Sequence, residues 1–157
     1  MSPDVWAWIA STPVRTWVVD SPYVWPTLES IHFASLCVLM GSLLVVDLRL
    51  IGLYRQPCAP TVRFLIRLAV AAFAVNLVTG LLFFLGNTYK YVDNAAFELK
   101  LVLIAIAGLN ALLYKRSLSH IVESDEVSLS SIGVGCLSLL LWSGVIVCGR
   151  MITFYAP

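Results

Sequence analysis

Long runs of apolar residues, broken by short polar connections, account for most of the chain. The four longest cover residues 26–53, 62–85, 95–114 and 129–155. About 20 apolar residues in a helix are enough to cross the hydrocarbon core of a bilayer, and none of the runs alternates as barrel strands do. Because the connections are short, neighbouring helices should be antiparallel. We therefore predict an all-α integral membrane protein in which residues 24–157 form a four-helix up-down-up-down bundle.

The first 23 residues follow a different pattern, in which large apolar residues alternate with charged ones. Trp6, Trp8 and Trp17 are interspersed with Asp4 and Arg15. A tryptophan-rich face beside a charged face is typical of a helix that lies in the plane of the membrane interface. We predict that residues 1–23 form an amphipathic interfacial helix, after which the chain turns into the first span.

The composition excludes several classes of protein. The chain is 60% hydrophobic and 12% charged, whereas soluble domains average about 25% charged residues. Its main partner should therefore be a lipid bilayer. The net charge of +1 gives no reason to expect a polyanion such as nucleic acid as a partner.

Basic residues predict the orientation in the membrane. Those near the first and third connections are Arg49, Arg55, Arg63, Arg67, Lys115 and Arg116. Because cytoplasmic connections carry an excess of Lys and Arg, we expect these two connections to face the cytoplasm. Both termini should then lie on the non-cytoplasmic side of the membrane, in the periplasm or its equivalent.

Four ionisable residues fall inside the predicted spans at a similar depth. Glu29 and His32, three residues apart on the first span, share one helix face. His32 lies about 10 Å inside its span, and Lys100 and Arg150 lie about 8 Å inside the third and fourth spans. Ionisable groups in a membrane are costly and are functional candidates. We predict a polar pocket, with a plain ion-pair network as the alternative.

Other residues approach this level. Asn76 and Thr79 reach it from the middle of the second span, and Trp142 lies on the fourth. We interpret Trp142 either as a packing residue or as a wall of a cofactor pocket.

A histidine inside a membrane is a potential iron ligand for a b-type heme. The second histidine, His120, should lie about 25 Å from His32 along the bundle axis, so the two cannot ligate one heme. The second axial ligand would be Met151, a neutral Lys100, water, or His32 of another copy. In this hypothesis Lys100 and Arg150 pair with the heme propionates.

Two further expectations concern metals. Glu29 would fix the tautomer of His32 by pairing with the ring nitrogen that does not bind the metal. Copper is the alternative to heme, bound by His32 with Met40, Cys37 or Met151.

At the opposite end of the first span, Asp47 and Arg49 are two residues apart and do not face each other. We predict that they form a structural lock by pairing with Arg63, Arg67 or Lys115. Residues 117–128, which include His120, are predicted to form a polar connection.

Several segments resemble an uncharacterised bacterial four-helix inner-membrane family, a domain of unknown function. They are ESIH at 29–32 with Gly41, DLRLIG at 47–52, NAAFELK at 94–100 with Asn110-Ala111, and Ser138-Leu139 with WSGVIVCGR at 142–150. The resemblance covers roughly residues 25–155.

That family is distantly similar to copper-resistance D-type proteins and to HemJ-type protoporphyrinogen oxidases. In the HemJ type, a first-helix histidine and a lysine of a later helix are the functional pair and heme b is bound; His32 and Lys100 match these positions. The end of the first helix, residues 47–50, departs from the HemJ pattern. The resemblance therefore implies a His-ligated heme or a related cofactor rather than porphyrinogen oxidation.

Three functions remain open at this stage. The first is a heme-b-binding redox protein, alone or within a larger complex, that passes electrons between the quinone pool and a partner at the non-cytoplasmic face. The second is a non-enzymatic membrane anchor or assembly subunit, and the third is a component that transports metal or a small solute. Small residues on the helix faces, such as Gly41 and Gly133, predict a homo-oligomer.

Overall fold

Helices make up nearly all of the chain that the structure describes. The structure, a computed structural model, describes the backbone of residues 3–54, 58–124 and 127–155 and the side chains of residues 5–54, 58–112 and 127–155. The helices in this part of the chain are α1 Pro3–Ala10, α2 Pro13–Asp20, α3 Val24–Ile51, α4 Ala59–Gly86, α5 Thr88–Tyr91, α6 Ala95–Ser124 and α7 Leu129–Met151. No strand occurs among these residues, which confirms the predicted all-α class.

Four helices, α3, α4, α6 and α7, correspond to the four predicted spans. Each contains a stretch that is long and apolar enough to cross a membrane; in α6 this stretch is Ala95–Leu112. The prediction of four helical spans is therefore confirmed. We call the end of the bundle where α3 begins the Glu29 end, and the opposite end the Asp47 end.

Local sequence accounts for where the spans begin and end. α3 ends at Gly52, whose φ of 87° lies in the left-handed region that glycine adopts without steric cost. α4 has a proline in its first turn, where the missing N–H breaks no helical hydrogen bond. α7 begins with a capping box: Ser128 Oγ accepts from the N–H of Ser131, and Ser131 Oγ accepts from the N–H of Ser128.

The spans pack in the order α4, α3, α7, α6, and the ring is not closed. α3 packs against both α4 and α7, and α7 packs against α6, but α4 and α6 make at most a marginal contact. α3 and α7 come closest at Gly135, where a Cβ would lie 3.1 Å from the backbone oxygen of Asp47. The apolar core of Leu39, Ala69 and Ala72 lies in the middle of α3 and α4. The result is an open bundle with a gap between α4 and α6.

The N-terminal segment differs from the single interfacial helix that we predicted. It forms two short helices, α1 and α2, because the chain turns at Ser11 and restarts at Pro13. Val18 is fully buried, and it lies so close to α4 that a Cβ at Gly86 would be 2.9 Å from Val18 Cγ1. Trp8 and Trp17 are exposed. The N-terminal segment therefore packs against the second span through the face that carries Val18, and its tryptophan side chains remain exposed.

Two other elements differ from the prediction. α6 continues to Ser124, so most of the predicted polar connection 117–128 is helical; a polar extension of a helix resembles a loop when only apolar residues are considered. The side chains of Lys115, Arg116 and His120, and Arg55 altogether, lie outside the described residues. The short helix α5, between the second and third spans, was not predicted.

Candidate functional site

A cavity of about 1400 Å³ lies between the four spans and reaches from the Glu29 end to the apolar core. The predicted site residues that line it are Glu29, His32, Lys100, Trp142 and Arg150. Met151, the predicted second metal ligand, is not among the lining residues. The structure thus brings five of the six residues to one cavity. Their role as cofactor ligands stays a prediction.

His32 is held by a hydrogen bond between two spans. Its Nδ1 lies 2.6 Å from Thr79 Oγ1, and Thr79 Oγ1 lies 2.9 Å from the carbonyl oxygen of Val75. The single hydroxyl hydrogen of Thr79 is donated to this carbonyl, so we assign the Nδ1–H of His32 as the donor to Thr79. In that tautomer Nε2 carries a lone pair. Nε2 has no hydrogen-bond partner among the described side chains.

Glu29 does not fix the tautomer of His32, contrary to our expectation. Its Oε1 accepts a hydrogen bond of 3.0 Å from Trp25 Nε1, one turn earlier on α3. Glu29 is exposed at the edge of the cavity, whereas His32 is half-buried. The spacing of three residues gave Glu29 and His32 a common face, but it could not show that the second span provides a nearer partner.

Lys100 and Arg150 are two of the three basic residues that line the cavity, together with Lys90. Lys100 reaches from α6 towards α7, where its Nζ would lie 3.5 Å from a Cβ at Gly149. The guanidinium of Arg150 lies 5.6 Å from the ring centre of Phe154. Neither side chain forms an ion pair with a described carboxylate. The alternative of a closed ion-pair network is therefore not formed among the described residues, although Glu29, Asp93 and Glu98 also line the cavity.

Asn76 is a polar residue of the cavity wall that we had not predicted as part of the site. It is only 9% exposed. Its Nδ2 donates to the carbonyl oxygen of Ala72 over 3.1 Å, while its Oδ1 is buried with no hydrogen-bond partner. Such unsatisfied groups are rare in folded proteins and call for an explanation. The sequence placed Asn76 near the right level but gave no sign that its oxygen lacks a donor.

Aromatic rings form two parts of the cavity wall. At the inner part, Phe73 and Trp142 pack edge to face with ring centres 5.8 Å apart. Trp142 also contacts the apolar core, so it is a packing residue and a cavity wall at once.

At the Glu29 end, the rings of Trp6, Phe84, Tyr91 and Phe97 form a cluster with centres 5.1–6.1 Å apart. Tyr91 lies on α5, outside the spans. Burial, and to a lesser extent the charge of Glu29, raises the pKa of its phenol. Tyr91 is therefore protonated at neutral pH, and the cluster carries no charge of its own.

The predicted copper ligands do not come together. Among the described side chains, no group of three or more His, Cys, Asp and Glu residues is placed to hold a metal ion. Neither Cys37, which is exposed, nor Met40 lines the cavity. His32 is thus the one residue of the proposed copper set that does.

Among the described residues, Asp47 does not form the predicted lock with Arg63 or Arg67. Asp47 is almost completely buried, and neither of its carboxylate oxygens has a hydrogen-bond partner. Arg63 and Arg67 are exposed and make no ion pair with it, and the side chain of Lys115 is outside the described residues. What joins α6 to α7 near this end is Asn110, whose Nδ2 donates to the carbonyl oxygen of Val134 over 3.1 Å.

Comparison with known proteins identifies the family but not its chemistry. No curated protein and no solved structure matches the chain. The expected similarity to copper-resistance D-type and HemJ-type proteins is therefore not shown. A family model described as "Family of unknown function (DUF6644)" matches residues 22–155, which cover α3 to α7 and the whole cavity. The chain belongs to this family of unknown function.

Proposed function

We propose that the protein binds heme b in this cavity and serves as a redox protein of the membrane. The observation that carries the proposal is the state of His32, whose Nδ1–H is engaged by Thr79 while Nε2 is without a partner. Histidines that ligate metals almost always donate their other ring N–H to a fixed acceptor. His32 meets this requirement and is the residue that would hold the iron. Bound heme supplies reversible one-electron chemistry at its iron.

The cations of the cavity fit the acidic groups of the cofactor. Lys100 and Arg150 have no described acidic partner, and uncompensated charge is costly in surroundings of low dielectric constant. Two propionates would pair with Lys100 and Arg150 through charge-assisted hydrogen bonds. The apolar and aromatic walls would exclude water from the rest of a flat ring system.

Among the described side chains, the cavity offers no second histidine and no methionine, and we assign Lys100 to a propionate. Met151 does not line the cavity, and the side chain of His120 lies outside the described residues. The iron would therefore be held by one protein nitrogen, and small ligands such as carbon monoxide should bind readily to the reduced protein.

Orientation and assembly complete the proposal. With both termini on the non-cytoplasmic side of a bacterial inner membrane, His32 would lie near that face, where an electron-transfer partner could dock. Gly41 and Gly108 leave open space, since a Cβ at either of them would meet nothing within 4 Å. Such small-residue faces support the predicted homo-oligomer.

An oxidised and a reduced absorption spectrum of detergent-purified protein, with iron analysis, tests the proposal. We expect a heme Soret band that is lost in His32→Ala and retained in His120→Ala, the matched change in the only other histidine. External imidazole should restore part of the band in His32→Ala. Protein that is folded but contains neither heme nor iron would refute the proposal.

A membrane anchor or assembly subunit is the second candidate. The exposed faces of α1 and α2 carry Trp8 and Trp17, and Tyr23 follows them. These aromatic side chains are suited to the membrane interface or to a partner. Transport has less support, because the core of Leu39, Ala69 and Ala72 lies between the cavity and the Asp47 end.

A further inference from the structure

The first and fourth spans enclose a carboxyl group at the Asp47 end. Asp47 is 1% exposed, and both of its carboxylate oxygens are buried without a hydrogen-bond partner. In folded proteins a buried carboxylate is nearly always paired or bound to a metal, because an isolated charge in an apolar interior is very costly. Asp47 therefore requires either a positive partner or a neutral state.

No charged side chain among the described residues supplies that partner. On α4, Arg63 and Arg67 are exposed, and neither forms an ion pair with Asp47. α7 carries no Asp, Glu, Lys, Arg or His before Arg150, which lies on the cavity towards the other end of the bundle. Arg49 follows Asp47 by two residues on α3, a spacing that turns the two side chains to different sides of the helix.

The packing around Asp47 leaves room for nothing larger than a proton. Both carboxylate oxygens have almost no surface that a water molecule could touch, so no water-sized void adjoins them. α3 and α7 are in close contact at this level, where a Cβ at Gly135 would lie 3.1 Å from the backbone oxygen of Asp47 and 3.2 Å from Leu50 Cβ. A hard cation such as Ca²⁺ takes about six to eight oxygen ligands, and a hydrated ion is larger still. A proton adds no volume.

Two features of the surroundings favour the neutral acid over the carboxylate. Ser138, which is buried on α7, faces the carboxyl group and can accept a hydrogen bond from its O–H. Asp47 also lies about one turn before the end of α3 at Ile51, where the partial negative charge of the helix C-terminus opposes a carboxylate. Both features stabilise a bound proton.

We propose that Asp47 is a proton-binding site within the membrane, which holds its proton as a neutral carboxylic acid between α3 and α7 at neutral pH. The proton can leave only if α3 and α7 separate at this end, since a carboxylate there would need water or a cation beside it. Proton release is therefore linked to an opening of the Asp47 end. The site lies about 22 Å from His32 along α3, at roughly 1.5 Å per residue, and it does not depend on a cofactor in the cavity.

Infrared spectroscopy of the purified protein at pH 7 tests the protonation directly. A neutral carboxylic acid has a C=O stretching band separate from the bands of carboxylates and amides, and exposed carboxyl groups are ionised at this pH because their pKa values are about 4. The protein is kept in a maltoside detergent, which has no ester carbonyl. We expect a carboxylic acid band that moves when aspartate is labelled with ¹³C and that is missing from Asp47→Asn. Wild-type protein without such a band would overturn the proposal, whether or not the variant folds.

Variants distinguish a proton from a bound cation. Asparagine has the shape of the neutral acid and no charge, so Asp47→Asn should unfold at or above the wild-type temperature. Asp20→Asn, the matched change in an exposed aspartate, should leave both the unfolding temperature and the band unchanged. A clear loss of stability in Asp47→Asn alone, or a band that appears only when sodium is removed, would show that Asp47 pairs with a cation and would overturn the proposal.

Hydrogen exchange measures the link between the proton and the helix contact. After transfer to D₂O the Asp47 band should shift, and it should shift several-fold faster in Gly135→Ala, whose added Cβ forces α3 and α7 apart. Gly133→Ala, in which the Cβ meets nothing within 4 Å, is the control that should exchange at the wild-type rate. Equal rates in all three proteins would contradict the proposed link.

Discussion

His32 on α3 and Thr79 on α4 are joined by a hydrogen bond of 2.6 Å across the interface of the first two spans. The contact has two consequences. It ties two membrane-spanning helices together at the level of the cavity, and it orients the imidazole so that Nε2 is left for a ligand. Thr79 is therefore a positioning residue that would act on a cofactor through His32.

The contact leads to a prediction for Thr79→Val, which keeps the shape of the side chain but removes the hydroxyl. We expect heme affinity to fall about 10–100-fold, as is typical when the partner behind a metal-ligating residue is lost. The visible spectrum of the remaining complex should broaden, because the ring would no longer be held in one tautomer. Thr79→Ser keeps the hydroxyl and should retain near-normal affinity. If both variants release heme at the wild-type rate, Thr79 has no positioning role.

Lys100 provides a second prediction, based on charge. Lys100→Met removes a cation that has no described acidic partner. If Lys100 pairs with a propionate, heme affinity should fall roughly 10–100-fold, because hydrogen bonds to charged groups contribute about 1.5–3 kcal/mol.

The midpoint potential should also fall, since a nearby positive charge stabilises the reduced state. Lys100→Arg should restore most of both properties. Arg63→Met, an exposed cation near the Asp47 end, is the control that should change neither. An unchanged potential in Lys100→Met would place Lys100 away from the cofactor.

The depth of each site residue along its helix could be predicted from the sequence, whereas contacts between side chains of different helices could not. The common level of His32, Lys100 and Arg150 followed from counting residues along antiparallel helices, and the structure places all three on one cavity. The partner of His32 could not be predicted in this way. It depends on the rotation of α4 about its axis, which brings Thr79 rather than Glu29 to the imidazole.

The fold, like the site, was predicted from the sequence only in part. The apolar runs predicted all four spans, but they said nothing of the polar continuation of α6 to Ser124. The short connections predicted antiparallel neighbours, but they did not show that the second and third spans are separated by a gap. The gap between α4 and α6 arises from packing among residues distant in sequence, such as Gly135 against the backbone of Asp47, and that packing is absent from any local pattern.

This close approach of α3 and α7 yields a prediction of stability. A Cβ at Gly135 would lie 3.1 Å from Asp47 O, 3.1 Å from Ile51 Cγ1 and 3.2 Å from Leu50 Cβ. Gly135→Ala should therefore push the helices apart and destabilise the bundle by about 1–3 kcal/mol. Gly133→Ala, on the same helix, meets nothing within 4 Å. It should be neutral or stabilising by up to about 1 kcal/mol, because alanine favours helix.

Thermal unfolding of the two glycine variants in one detergent checks this pair. The midpoint of Gly135→Ala should lie clearly below that of the wild-type protein, and the midpoint of Gly133→Ala at or above it. Equal midpoints for both variants would mean that α3 and α7 do not approach closely at Gly135. A fall in Gly133→Ala alone would place an interface with another copy on that face.

The last prediction concerns the exposed thiol of Cys58, which immediately precedes α4 outside the spans. A hydrogen bond from the Thr61 hydroxyl, with Oγ1 and Sγ 3.2 Å apart, is the main factor that lowers the pKa of this thiol. A lower pKa means more thiolate at neutral pH, and the thiolate is the species that reacts. Cys58 should therefore react with maleimides faster than an ordinary thiol between pH 7 and 8. Thr61→Val should raise the pKa and shift the rate profile to higher pH, whereas Thr61→Ser should not.

The same thiol tests the orientation, because the first connection is the one we expect to face the cytoplasm. In a variant that keeps Cys58 as its single cysteine, a membrane-impermeant maleimide should label inverted membrane vesicles but not intact cells. Labelling of intact cells would reverse the topology and place both termini, and with them the Glu29 end of the cavity, on the cytoplasmic side. Since labelling depends on access as well as on the thiolate fraction, Thr61→Val should slow the reaction in the accessible preparation and leave the sidedness unchanged.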